Sequence, residues 1–288
     1  MRTVVHLSDL HFGKEEPLLV TAIRQEILEL SPDLVTVSGD FTQRARVSQF
    51  EKARQFLASL PFQQLVIPGN HDIAPWHRPV ARMTNGLGDF GRYITKDETP
   101  FYGDSEIAVA GINSARIFSR KGGRINLAQV ERCCELFGNA SAHAVRILVS
   151  HHPFDLPPGH SAGDLIGRAH VAMEKLAECK VDVFCAGHLH VSNVCDTARR
   201  YGISGHSAIS VQAGTAISRR LREQYNSWNV LRIQRPRIVV DRYQWDENVG
   251  RFAVGSSEEF RHTEAGWART QPDPNDADTF CSNSPVPR

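Results

Sequence analysis

The sequence predicts an α/β fold: a four-layer αββα sandwich, in which two mixed β-sheets are flanked by helices. Three observations carry this. Over much of the 288-residue chain, short apolar runs rich in β-branched residues alternate with stretches of helical periodicity, the grammar of βαβ units. Each run empties into a small polar cluster, and ligands of such sheets sit beyond the carboxyl ends of the strands. Beyond His190 the texture turns to β, expected as a second sheet packed against the first.

Taken in order, the chain enters a strand at Thr3-Val4-Val5-His6-Leu7 and leaves it at Ser8-Asp9-Leu10-His11. Leu19, Ile23, Ile27 and Leu30 recur at helical spacing, with Pro17 suited to the first turn and Ser31-Pro32 as the stop. Leu34 to Ser38 reads as a second strand running into Gly39-Asp40. Ser48-Gln49-Phe50-Glu51 has the form of a capping box, which predicts a helix from there to Leu60. Leu65-Val66-Ile67 is a third strand and delivers Gly69-Asn70-His71-Asp72.

From Ile73 to Pro100 the periodicity fails, which predicts an irregular substrate-facing segment carrying Arg78, Arg82 and Arg92. Ile107 to Ile112 is a strand, and Asn126 to Gly138 a helix capped by asparagine and stopped by glycine. Val145 to Val149 leads to His151-His152-Pro153, a helix covers about 169–178, and Val181 to Ala186 leads to Gly187-His188-Leu189-His190. Residues 228–233 and 238–243 read as a hairpin, with 249–254 as a further strand. Residues 255–288 are polar and are expected to form a disordered C-terminal tail, leaving 1–254 as the domain.

Bulk properties exclude several classes. With 33 basic against 32 acidic residues there is no net field to recruit nucleic acid, so no stable nucleic-acid partner is expected. No apolar run approaches membrane-spanning length. The cysteines at 133, 134, 179, 185, 195 and 281 show no framework spacing. They read as reduced thiols in a cytoplasmic protein.

Residues two apart in extended chain point the same way, so Asp9 with His11, and His188 with His190, can each reach one small volume. Adding Asp40, Asn70 and His151 gives seven oxygen and imidazole ligands without thiolate. That number is too many for one tetrahedral ion and suits two ions, Mn²⁺, Fe²⁺/Fe³⁺ or Zn²⁺, sharing a carboxylate.

The ordered series Asp9-Leu10-His11, Gly39-Asp40, Gly69-Asn70-His71-Asp72, His151-His152-Pro153 and Gly187-His188-Leu189-His190 resembles the calcineurin-like metallophosphoesterases, over roughly residues 1–245. Within them it is most similar to bacterial class III cyclic-nucleotide phosphodiesterases. The resemblance implies that Asp9, His11 and His190 hold one ion, that Asn70, His151 and His188 hold the other, and that Asp40 lies between them. It also implies that His71 faces the leaving group as general acid or electrostatic stabiliser. Two divalent ions carry more charge than Asp9 and Asp40 cancel, so a bridging water is expected to ionise near pH of about 7 and attack phosphorus.

A small-molecule phosphate ester is the expected substrate, with Asn70, His71, Arg78 and His152 as candidate contacts and Asp40 and His71 as candidate catalytic residues. The reading is a phosphodiesterase acting on cyclic AMP or another small diester. The alternative is a pyrophosphate hydrolase of the UDP-2,3-diacylglucosamine type, and the third reading a catalytically silent metal-binding scaffold. Protein phosphatases of the family carry a longer Gly-Asp motif with a second Asp and an Arg, whereas here Phe41-Thr42-Gln43-Arg44 follows, which demotes a phosphoprotein substrate. Pairing of two copies through the C-terminal hairpin into a homodimer stays open.

Overall fold

The computed structural model describes residues 1–219 and 225–270, apart from the side chain of Arg199. Strands β1 (Arg2–Leu7), β2 (Leu34–Val37) and β3 (Gln64–Val66) run parallel, with α1 (Pro17–Leu30) and α2 (Val47–Ala58) as the crossovers. Two short helices follow, α3 (Pro79–Asn85) and α4 (Gly88–Tyr93). The second sheet comprises β4 (Phe101–Gly103), β5 (Ile107–Ile112), β6 (Val145–Ser150), β7 (Val183–Ala186), β8 (Asn193–Asp196) and β9 (Ile209–Gln212). Its order is β4-β5-β6-β7-β9-β8, with α5 (Leu127–Gly138), α6 (Ala169–Glu178) and a single turn α7 (Ala198–Tyr201) among its connections. The chain returns to the first sheet with β10 (Ser227–Gln234), β11 (Arg237–Asp246), β12 (Arg251–Thr263) and β13 (Gly266–Arg269), giving the order β13-β12-β11-β10-β1-β2-β3.

Neighbouring residues of one strand serve different layers. Val4 packs between the sheets with Leu34, Leu65, Ile147, Val183 and Leu231, whereas Val5 joins Val35, Ile23, Ile27 and Phe50 beneath α1 and α2. A third cluster seats α5 and α6 on the second sheet through Val130, Phe137, Met173 and Leu176. Strands buried on both faces must be apolar at every position, which is why they read as unbroken runs. The four-layer architecture of two mixed sheets flanked by helices is therefore present.

Several expectations need correction. The C-terminal hairpin does not form the second sheet but extends the first: β10 pairs antiparallel with β1, with Val4 opposite Leu231 and His6 opposite Asn229. β1 is a central strand with β2 on its other side, so its free edge had to be covered. The predicted tail boundary at 254 falls inside β12, and Phe260 and Trp267 beyond it are buried. The polar residues of β12 lie in an antiparallel pairing, where Glu259 meets Arg237 at 2.7 Å. A one-sided sheet has the composition of a solvated tail. The rest of that call, residues 271–288, lies outside the described residues.

Segment 73–100 is not irregular throughout, since it contains α3 and α4. The start of α2 sits at Arg46 rather than Ser48. There Gln49 is the third helical residue, and its Oε1 accepts from the backbone of Arg44 at 2.9 Å. Cys134 and Cys179 are not free thiols but a disulfide, their Cα atoms 5.4 Å apart across 45 residues. The packing of α5 beside α6 brings them together, and no sequence spacing announces that. Cys133 and Cys185 are buried free thiols. No helix among the described residues is long and apolar enough to cross a membrane.

Candidate metal centre

The polar loops leave the carboxyl ends of β1, β2, β3, β6 and β7, which come from both sheets, and they meet between them. Among the described residues nine non-glycine residues have positive φ, and Asp9, His11, Asp40, His188 and His190 are five of these, at 47° to 73°. Left-handed backbone disfavours side chains, so such a concentration marks loops held in shape by their surroundings. The loops after β1 and β2 hold each other, His11 N donating to Asp40 O at 2.9 Å and Phe12 N to Phe41 O at 2.9 Å. A Cβ at Gly187 would collide with Ser8 Oγ and Asp9 Oδ2, so only glycine lets the loop after β7 close on the loop after β1.

Two clusters share one carboxylate. In the first, His11 Nε2 lies 3.5 Å from Asp9 Oδ1, 3.7 Å from Asp40 Oδ2 and 3.3 Å from His190 Nε2. In the second, His151 Nε2 lies 3.4 Å from Asp40 Oδ1, 3.1 Å from Asn70 Oδ1 and 3.3 Å from His188 Nδ1.

Tautomers fix what these atoms present. His151 Nδ1 faces the Ser38 carbonyl at 2.7 Å, which can only accept, so Nδ1 carries the proton and Nε2 a lone pair. Asn70 Nδ2 donates to Arg120 O at 3.2 Å, which turns its carbonyl oxygen inward. By the same logic His11 Nδ1 donates to Thr42 O, and its Nε2 lone pair looks at Asp9 Oδ1. That oxygen is buried and has no hydrogen-bond donor among the described residues.

Acceptor faces acceptor in both clusters. Such an arrangement repels unless a cation stands between the lone pairs. Burial depresses the His11 ring and, with the neighbouring His151, holds His188 at about 3, so both rings are neutral near neutrality. Burial pushes Asp9 and Asp40 upward, but the surrounding imidazoles, His190 first for Asp9 and His151 first for Asp40, outweigh it and keep both ionised. The residues present fit a pair of divalent ions.

His71 donates from Nδ1 to Gln43 O at 2.7 Å, and its backbone N donates to Asp40 Oδ1 at 2.8 Å. Asp72 does not orient the His71 ring. It accepts from the backbone of Gly69, Phe41 and Thr42 at 2.9, 3.2 and 2.9 Å and so locks the Asn70 loop to the Asp40 loop. His152 is buried with both ring nitrogens engaged, by Ser114 Oγ at 2.8 Å and Lys121 O at 2.7 Å. It supports His188 through ring contact at 4.4 Å and offers no nitrogen to a substrate.

A cleft of about 560 Å³ opens beside Asn70 and His71. Arg78 does not line it, pairing instead with Asp89 at 3.2 Å, and neither does Arg92. Trp76 and Arg82, which fall in the segment expected to face substrate, do line it, as do Arg44, Arg46 and Arg120, which sequence reasoning missed. Among those missed, only Arg44 carried a signal, standing four residues after Asp40.

The family model for calcineurin-like phosphoesterase matches residues 2–192. A UDP-2,3-diacylglucosamine pyrophosphatase of Chlamydia muridarum is 37% identical over 76 residues, 25% of this chain and 23% of that protein. A glycerophosphodiester phosphodiesterase of Enterobacter lignolyticus is 36% identical over 80 residues, 24% and 29% of the two chains. The matches thus span under a third of these curated relatives. Among solved structures, a dimetal phosphatase from Danio rerio superposes with TM-score 0.59 at 13% identity, over 84% of this chain and 95% of that one. Purple acid phosphatase PPD1 from yellow lupin reaches 0.65 at 12% identity, over 90% and 53%. At such identities the likeness is one of fold.

Proposed function

The chain belongs to the calcineurin-like phosphoesterase family, and from that premise we propose that it is a phosphoester hydrolase that cleaves a small phosphodiester with two divalent ions. The observation that carries this is the pair of lone-pair clusters meeting at Asp40. In this reading Asp9, His11 and His190 hold one ion and Asn70, His151 and His188 the other, with Asp40 shared.

When bound, such a pair supplies Lewis acidity toward phosphoryl oxygens and lowers the pKa of a coordinated water to about 7. Asp40 is positioned by the His71 backbone N–H, so the shared carboxylate cannot swing away. The His71 ring, fixed through Nδ1 on Gln43 O, directs Nε2 toward the departing oxygen, and in its imidazolium form, with both nitrogens protonated, it gives the Nε2 proton to that oxygen. Ser38 O and Thr42 O hold the tautomers of His151 and His11.

The test is hydrolysis of bis(p-nitrophenyl) phosphate by protein reconstituted with Mn²⁺. Turnover is expected with the wild type and is nearly lost in Asp40→Ala and Asn70→Ala. Wild-type protein inactive with Mn²⁺, Fe²⁺, Co²⁺ and Zn²⁺ alike would overturn the reading.

Two finer readings of the substrate stand. One is a cyclic nucleotide such as cyclic AMP, the substrate suggested by the N-terminal motif wording. The other is a nucleotide pyrophosphate, which the arginines of the cleft and the similarity to the chlamydial pyrophosphatase favour. Relative kcat/KM on cyclic AMP and on a UDP-linked lipid separates them.

A further inference from the structure

We infer that the cleft beside the metal centre is a recognition subsite for a substrate bearing two features beyond its scissile phosphorus, a second anionic group and a flat aromatic ring. The inference rests on the hydrolase reading and narrows its substrate class.

The cleft wall is cationic. Arg44, Arg46, Arg82 and Arg120 line it with His71, and no aspartate or glutamate does. Arg44, Arg46 and Arg120 are exposed and meet no carboxylate in an ion pair among the described residues. A bound diester brings one negative charge, which the metal centre itself takes up. Arginines aimed into the same volume therefore call for another anion, and the guanidinium fork matches phosphate or carboxylate.

Trp76 supplies the flat surface. Its side chain is 48% exposed, unusual for so large an apolar group. It does not flex freely, because the Arg82 guanidinium lies 4.1 Å from its ring centroid. Arg82 is itself 5% exposed. It donates to the carbonyls of Ile117, Ala74 and Ser119 at 2.5, 2.6 and 3.0 Å. These bonds engage all three of its nitrogens and hold it nearly fully buried, so Arg82 is a support for the indole rather than an anion contact. Arg120 stands further off, 5.9 Å from the same ring. A rigid, half-exposed indole flanked by guanidinium groups is a stacking platform for a π system. A ring on Trp76 with a second anion on Arg44, Arg46 and Arg120 describes a nucleotide with more than one phosphoryl group, and fits a cyclic monophosphate poorly.

The test follows tryptophan fluorescence while Zn²⁺-loaded protein is titrated with ADP, AMP, adenosine and inorganic pyrophosphate. ADP is expected to quench at concentrations about tenfold lower than AMP, and adenosine to quench more weakly still. Adenosine quenching should survive EDTA, since stacking needs no cation. Trp76→Phe should abolish the signal, and Arg120→Gln should remove the advantage of ADP over AMP without changing the response to adenosine. Both side chains are exposed, so folding is not at stake.

Equal affinity for ADP and AMP would overturn the second anion. Pyrophosphate binding as well as ADP, or quenching unchanged in Trp76→Phe, would overturn the ring. Turnover of bis(p-nitrophenyl) phosphate, measured in parallel, reports on the hydrolase reading separately.

Discussion

The ligand cluster and the cleft wall beside it are built on opposite principles. Asp9, His11, Asp40 and His151 are 0–1% exposed and sit at strand ends, each fixed by a backbone bond or tautomer-setting carbonyl. Arg44, Arg46, Trp76 and Arg120 reach out from loops and are exposed. The chemistry is thus fixed by the sheets themselves, whereas the neighbouring surface can change without disturbing them. Selectivity resides where substitution is tolerated. The comparison predicts that damage to the cluster is severe and independent of substrate, and damage to the wall milder and dependent on it.

The largest effect is expected from Asp40→Ala, which removes the one carboxylate common to both clusters. Turnover on every ester should fall by about a thousandfold or more, and elemental analysis should find fewer ions per chain. A variant retaining both ions and substantial turnover would break the comparison at its centre.

Next comes Gly187→Ala. The added methyl meets Ser8 Oγ and Asp9 Oδ2, so the loops after β1 and β7 must part. Overpacking of this kind costs about 1–3 kcal/mol, readable as a lower urea midpoint. Metal affinity should fall with it, because Asp9 Oδ2 accepts from His188 N at 2.9 Å. Unchanged stability would mean the loops are looser than the ligand distances imply.

Arg82→Met probes the wall. It leaves the carbonyls of Ala74, Ile117 and Ser119 without their donor and the Trp76 ring without its support. Stability should drop by about 1–3 kcal/mol, and KM for a nucleotide substrate should rise well before kcat changes. A kcat loss equal to that of Asp40→Ala would erase the distinction between the two regions.

The same contrast explains what could be read in the sequence. Candidate ligands at strand ends are announced twice, by the apolar run that forms the strand and by the spacing Asp9-x-His11 or His188-x-His190, so the side chains that gather there could be read from the sequence. Sheet membership was not. The apolar run of β10 looks the same whether it begins a new sheet or covers the free edge of β1, and only the packing of Val4 against Leu231 decides it. The wall was opaque for another reason. Trp76 and Arg120 are 44 positions apart in sequence and come together where Arg82 bridges both segments. Arg78 is a candidate contact in the sequence because it falls in the irregular segment after Asn70-His71, yet its guanidinium turns to Asp89. The polarity of β12 and the meeting of Cys134 with Cys179 belong with the wall, as consequences of tertiary neighbours alone.

The smallest effect should come from Asp104, far from both regions, and it tests whether they share a common footing. Arg2 of β1 donates to Asp104 Oδ2 at 2.7 Å and to Asp33 Oδ1 at 3.2 Å, joining the first sheet to the turn before β5 in the second. Burial raises the Asp104 carboxyl, but backbone donation from Ile107 and Glu106, the Tyr102 hydroxyl and Arg2 outweigh it and hold it below its usual 3.8. A depressed carboxylate contributes stability that is fully present above its unfolded value and is lost as pH falls through the folded one. Asp104→Asn should therefore lower Tm at pH 7 by about 2 °C or less, and the gap to the wild type should close as pH drops below about 4. Turnover and metal content should stay unchanged at pH 7. A gap that persists at low pH would mean that the hydrogen bonds, rather than the charge, join the two sheets there.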